Sequence, residues 1–140
     1  MEKSEVKPSI VFIFTDGEKF LVEKRLPTST YANELLFPGG AIEPEEMENI
    51  QLALSREILE ELGVSIFDPE PIPCLEPIYG HNHNLLHLFL IRKWEGSLPE
   101  IVLDKGNEIF WTEIDIMLAS PLALARKTAE ALRDYLNGTS

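Results

Sequence analysis

A mixed β-sheet with helices on its faces, an α/β architecture, is the fold class this sequence predicts. Three observations carry it: β-branched and aromatic runs bounded by turn residues, one helical stretch between them that stops at a glycine, and a closing amphipathic helix. At 140 residues and 44% hydrophobic, the chain can bury a sizeable core as a single domain over 1–140 without metal or disulfide staples.

Residues 9–15 form a β-branched and aromatic run that ends at Asp16-Gly17, and 20–24 resume it, which is a hairpin signal. Pro, Thr, Ser and Asn make 26–34 a loop, after which Leu35-Leu36-Phe37 leads into Pro38-Gly39-Gly40. Consecutive glycines there mark backbone that turns sharply or lies close to another group. The pattern over 47–62 is helical and stops at Gly63, a favourable residue just past a helix end. Strand-like segments follow at 76–79, 84–92 and 108–112; the stretch 85–91 is apolar on both faces apart from His87, as expected of a central strand covered on two sides. Ser120-Pro121 is a good helix start, and Leu122, Ala125, Ala129, Leu132 and Leu136 then recur at helical spacing.

Twelve Lys and Arg against 24 Asp and Glu leave a net charge of −12. That excess of acid opposes binding to DNA or RNA, whose affinity comes from neutralising phosphates with basic side chains. Phosphates can still be handled if a divalent cation supplies the positive charge. Cys74 is the single cysteine, so no intrachain disulfide is possible, and it reads as a small core hydrophobe. The apolar run at 10–14 is too short for a membrane span, so a cytoplasmic protein without a membrane partner is expected. His81, His83 and His87 share parity, but 81–84 reads as a turn into a strand rather than a metal site.

The helix at 47–62 holds the chemistry. At roughly 100° per residue, Glu60 and Glu61 fall on either side of Glu57, and the expectation is that Leu52, Ile58, Leu59 and Leu62 pack on the opposite side. Like charges three and four residues apart repel. Arg56 stands at the edge of this arc, and a hard cation such as Mg²⁺, which takes carboxylate oxygens, is the better compensator.

The stretch Arg56-Glu57-Ile58-Leu59-Glu60-Glu61-Leu62-Gly63-Val64 resembles the second half of the Nudix box, R-E-U-x-E-E-x-G-U with U aliphatic, at every defined position. In the first half, G-x5-E-x7-R, Gly40 and Glu46 meet one spacing and Glu48 and Arg56 the other, as if two residues were inserted. A rigid helix preserves spacing better than a loop, which favours Glu48 as the first box glutamate. The resemblance covers most of the chain and is to the MutT-like branch, with Arg25, the 32–40 segment, Trp94-Glu95-Gly96 and the strand carrying Trp111.

The resemblance implies a Nudix-type α/β/α sandwich with a mixed sheet that hydrolyses the diphosphate linkage of a nucleoside diphosphate joined to a group X, with Mg²⁺ or Mn²⁺. It implies that Glu57, Glu60, Glu61 and the Gly39 carbonyl bind metal, that Glu57 or Glu60 activates water, and that Arg56 holds the helix glutamates. Gly40 would allow close backbone approach, Arg25 would pair with a substrate phosphate, and Phe37 and Leu88 would help line an apolar slot. Among candidates for a more distant metal ligand, Glu108, Asp104 and Glu100, the proximity of Trp111 favours Glu108. A nucleoside triphosphate is the leading substrate class, with nucleotide sugars, ADP-ribose and dinucleoside polyphosphates open. The branch's base-reading asparagine has no counterpart in 119–124, which speaks against an oxidised guanine nucleotide. The rival function is a non-catalytic Nudix-fold regulator that binds a nucleotide; monomer and homodimer are both open.

Overall fold

The computed structural model describes residues 8–28, 31–80, 83–98, 101–104 and 107–138. In chain order the elements are β1 (Ser9–Phe14), β2 (Phe20–Lys24), β3 (Leu35–Leu36), β4 (Gly39–Ala41), a 3₁₀ turn (Pro44–Glu46) and α1 (Ile50–Leu62). There follow β5 (Ser65–Phe67), β6 (Glu70–Ile72), β7 (Leu86–Ile91), β8 (Lys93–Glu95), β9 (Ile101–Asp104), β10 (Asn107–Thr112), α2 (Ile114–Leu118) and α3 (Ala123–Gly138).

β1 pairs in parallel with β7, from Ser9 opposite Leu86 to Phe14 opposite Ile91, and antiparallel with β4, in a mixed sheet ordered β4-β1-β7-β6. The expected hairpin is corrected. β1 and β2 meet at a Thr15–Phe20 bridge and then part, β2 joining an antiparallel sheet ordered β3-β2-β10-β9. A strand has two hydrogen-bonding edges, and β4 and β7 occupy those of β1. The turn itself is as expected: the Asp16 carboxylate accepts the Glu18 and Lys19 N–H groups at 2.8 and 2.7 Å.

Alternation along β1 and β7 builds a layer on each face. Ile10, Phe12, Phe14, Phe89 and Ile91 pack with Ala53, Leu54 and Ile58 of α1, whereas Val11, Ile13, Leu88 and Leu90 pack with Ala125, Ala129 and Leu132 of α3. The sheet is thus sandwiched between helices, and the doubly covered reading of 85–91 is met over 88–91, whereas Leu85 is 37% exposed. Leu88 belongs to this core. A small β5-β8 sheet and the three-residue β6, with Pro71, lie at the periphery.

α1 ends as expected, with Gly63 at φ 72° donating its N–H to the Ile58 and Leu59 carbonyls. That left-handed position suits glycine. The packing face of α1, however, holds Ala53, Leu54, Glu57 and Ile58, while Leu52 and Leu59 are 57% and 58% exposed. Leu52 and Leu59 thus lie opposite Glu57, but on the solvent side of the helix. α3 follows a turn in which Ser120 Oγ accepts the Leu122 N–H at 3.1 Å, and its far end is tied to the sheet, Tyr135 donating to Glu70 at 2.7 Å beside Arg92. Cys74 is a half-buried free thiol packed against the α3-side core, with its pKa raised by burial. Among the described residues no helix is long and apolar enough to cross a membrane.

Candidate active site

The site is organised by Arg56. Its Nε and Nη2 donate to both carboxylate oxygens of Glu46, at 2.7 and 2.8 Å, and Nη2 also reaches the Ala41 carbonyl at 3.4 Å. Nη1 lies 3.3 Å from Glu57 and 3.3 Å from Glu60. One planar guanidinium thereby joins the glycine strand β4, the 3₁₀ turn and the acidic face of α1, which is the geometry a forked, always-charged donor provides. Glu46 is buried, and its carboxyl is held at about 2 by the Arg56 hydrogen bonds first and then by the Glu43 N–H. Arg56 is in turn shifted upward by Glu46.

Glu48 does not take this place. The chain makes its 3₁₀ turn at Pro44–Glu46 and α1 begins only at Ile50, so 47–49 are not helical and Glu48 points out exposed. Helical spacing from 48 to 56 therefore has no physical basis, and Glu46 is the residue paired with Arg56. The two-residue insertion is absorbed in this outward turn.

Glu57 is 8% exposed although it is a carboxylate on a packing face. Gly40 explains how it fits: a Cβ there would collide with the Glu57 carboxyl group, and a Cβ at Gly39 would collide with the Ile10 carbonyl of β1. Two side-chain-free positions let α1 lie on β4. The Phe12 N–H donates to Pro38 and the Ile42 N–H to Pro8, so alternate residues of β4 bond to β1 and the intervening Gly39 and Ala41 carbonyls turn outward. The Ala41 carbonyl meets Arg56, and Gly39 shares its edge.

Among the described residues, no three acidic, His or Cys side chains converge closely enough to hold an ion as they stand. Arg56 accounts for that by drawing Glu57 and Glu60 towards itself. The donor chemistry nonetheless fits a hard divalent cation: carboxylates of Glu57, Glu60 and Glu61 on one arc, beside an outward-turned glycine carbonyl. Glu60 is exposed and Glu61 half-buried.

Next to this platform, across β4, lies a cavity of about 260 Å³. Phe37 and Arg25 are among its lining residues, Phe37 buried and Arg25 bound to Glu23 at 3.0 Å. Leu124 and Ala125 form the wall at the start of α3. Two wall residues were not singled out by the sequence reading: Glu23, a buried acid that follows three apolar residues in β2, and Asn84, whose Nδ2 donates to Ser9. An acid among apolar strand residues is a signal for Glu23; the Asn84–Ser9 pair, 75 residues apart, leaves none.

Glu108 is half-buried on β10 opposite Lys24. Alternation turns its neighbour Ile109 to the α1 core, and α1 packs on β1, β4 and β5, so Glu108 is not part of the cluster around Arg56. Glu100 and the side chain of Asp104 lie outside the described residues, as does His81. His83 is exposed in the expected turn, and His87 is half-buried in β7, its pKa lowered by burial.

A two-sided α/β sandwich that lays an arginine-clamped acidic helix on a glycine strand, with a small cavity beside it, defines a hydrolase scaffold of the Nudix class. The NUDIX domain family model matches residues 6–135, and the chain belongs to that family of hydrolases. It is 40% identical over 89 residues to the 8-oxo-dGTP diphosphatase of Buchnera aphidicola from Acyrthosiphon pisum, covering 64% of this chain and 68% of that protein. To the 8-oxo-dGTP diphosphatase of Escherichia coli K12 it is 30% identical over 97 residues, 69% of this chain and 72% of that one. The fold is similar to that of the MutT NUDIX hydrolase from Burkholderia pseudomallei, with a TM-score of 0.68 and 22% identity over 90% of this chain and 96% of that one. An ADP compounds hydrolase superimposes with a TM-score of 0.72 at 15% identity, over 96% of this chain and 75% of that one. The chain is thus a MutT-like Nudix pyrophosphohydrolase.

Proposed function

We propose that this protein hydrolyses a nucleoside triphosphate to the monophosphate and pyrophosphate with Mg²⁺ or Mn²⁺. The observation that carries this reading is the Arg56 clamp, which gathers Glu57, lying against the glycine strand, and Glu60 beside a base-sized cavity. At about 260 Å³ the cavity is near the small end of ligand clefts, so it takes a base or nucleoside while the phosphates extend over the acidic helix. Glu57, Glu60, Glu61 and the Gly39 carbonyl would hold the cation, which supplies charge neutralisation on the phosphoryl oxygens. Glu57, buried against Gly40, suits a ligand role. Glu60, 59% exposed at its side chain and oriented by Arg56, would position and deprotonate a water for attack on phosphorus. Arg25 faces the cavity and pairs with a phosphate as the nucleotide enters.

The relatives' names make 8-oxo-dGTP the first substrate to try, although 119–124 offers no asparagine. A panel of 8-oxo-dGTP, the four dNTPs, ADP-ribose, a nucleotide sugar and a dinucleoside polyphosphate, each with millimolar Mg²⁺, tests the reading. Release of nucleoside mono- or diphosphate, the product common to every substrate in the panel, should be greatest with a triphosphate and should vanish in EDTA. Greater turnover of ADP-ribose or a nucleotide sugar would overturn the substrate class.

A further inference from the structure

We propose that Asn84 reads the base of the nucleotide, held in place by Ser9 and Gly80, and selects a donor-rich, guanine-type purine. The inference rests on the reading of the chain as a nucleotide hydrolase. Asn84 stands just before β7, in a turn where the Gly80 N–H donates to the Asn84 carbonyl at 2.8 Å and the His83 N–H to the Gly80 carbonyl at 2.9 Å. His83 at φ 61° completes the reversal. From there the side chain crosses to β1, where Nδ2 donates to Ser9 Oγ at 2.5 Å. A Cβ at Gly80 would collide with Asn84 Oδ1, so the glycine provides the space in which the amide lies.

An amide anchored through one N–H retains an acceptor oxygen and a second N–H for a ligand. Both Ser9 and Asn84 line the cavity beside the glycine strand. Of the other walls, the start of α3 offers Leu124 and Ala125, and the Thr128 hydroxyl there already donates to the Leu124 carbonyl at 2.8 Å. Glu23 adds a carboxylate oriented by Arg25. The acceptors Asn84 Oδ1 and Glu23 suit a base rich in N–H groups. Guanine presents N1–H and an exocyclic amine, its 8-oxo form a further N7–H, whereas adenine and cytosine present a single amine and thymine a single N–H. Base selection thus moves from the start of the last helix, where 119–124 has no asparagine, to the opposite wall.

Calorimetric titration of nucleoside monophosphates (8-oxo-dGMP, dGMP, dAMP, dCMP and TMP) in EDTA measures base binding apart from turnover. Wild type should bind the guanine-type ligands about tenfold more tightly than the others, a gap of the size one good base contact provides. Asn84→Leu should narrow that gap to within about twofold. Ser9→Ala should narrow it in part, and Asn84→Asp, which keeps an acceptor, should narrow it less than leucine does. Thermal melts verify that each variant is folded, and Ser9→Ala and Asn84→Asp carry the test if Asn84→Leu does not fold. A gap unchanged in the folded variants, or no gap in wild type, overturns the proposal. If wild type hydrolyses no triphosphate yet shows the Asn84-dependent gap, the substrate reading fails and base reading stands; triphosphate hydrolysis whose base preference survives Asn84→Leu gives the converse.

Discussion

Nitrogen–oxygen distances of 2.7 to 3.4 Å join the Arg56 guanidinium to Ala41, Glu46, Glu57 and Glu60. A lysine at this position carries the charge but not the fork, so Arg56→Lys should lower kcat/KM by an order of magnitude or more, as loss of a group that orients ligands does. Glu46→Gln should act in the same direction, whereas Glu48→Gln, on an exposed turn, should stay within about twofold of wild type. Steady-state rates on the best substrate of the panel decide between them, and equal losses in the two glutamine variants would contradict the clamp. The pH dependence follows from the sign of the shift. Glu46 is held at about 2, below its ordinary 4.5, so its contribution to stability is complete above the ordinary value and is lost as pH falls through 4.5 towards 2. Urea midpoints at pH 5, 4, 3 and 2.5 should therefore fall more in wild type than in Glu46→Gln, and parallel curves would show that the pair contributes nothing.

At the level of elements, the glycine strand and α1 are fitted to each other, and their two glycines should respond differently. Alanine at Gly39 meets the backbone of β1, which cannot move aside without breaking ladder pairing, so about 1–3 kcal/mol of stability should be lost. Alanine at Gly40 meets the end of a side chain, Glu57, which can swing away; activity should fall far more than stability. Denaturant curves beside turnover numbers separate the two, and a Gly40→Ala enzyme with wild-type turnover would remove Glu57 from the site. The same elements show what the sequence makes legible. The stop at Gly63, the apolar face of α3 and the doubly covered β7 depend on local pattern and were readable. The β1–β2 hairpin was not, because β4 and β7, from distant segments, compete for the edges of β1. The burial of Glu57 and exposure of Leu52 and Leu59 depend on where two glycines open space, which periodicity along α1 does not encode. Glu46 was legible as acidic but lost to Glu48 because the start of α1 was placed three residues early.

Across the whole molecule, charge is the quantity that binding should change most. Residues 43–61 contain seven glutamates and one arginine, so this segment holds −6 of the net −12. In the fold that charge is gathered around one guanidinium, Glu46, Glu57 and Glu60 sharing Arg56. Glu61 and the outward carboxylates add to the field without a second arginine on α1. A state so arranged gains from a divalent cation that the unfolded chain, with its glutamates dispersed, binds weakly. By linkage, a cation present at a hundred times its dissociation constant stabilises the fold by about 2.7 kcal/mol. For a chain of this length that corresponds to a rise in Tm of roughly 5–15 °C. Mg²⁺ should therefore raise Tm well beyond NaCl of equal ionic strength, which only screens the repulsion. The excess should disappear in Glu57→Gln and shrink in Glu60→Gln, since the first removes the buried carboxylate and the second an exposed one. A rise no greater than that with NaCl, or one that survives in Glu57→Gln, would place the cation elsewhere on this acidic surface and leave the Arg56 cluster as a purely structural clamp.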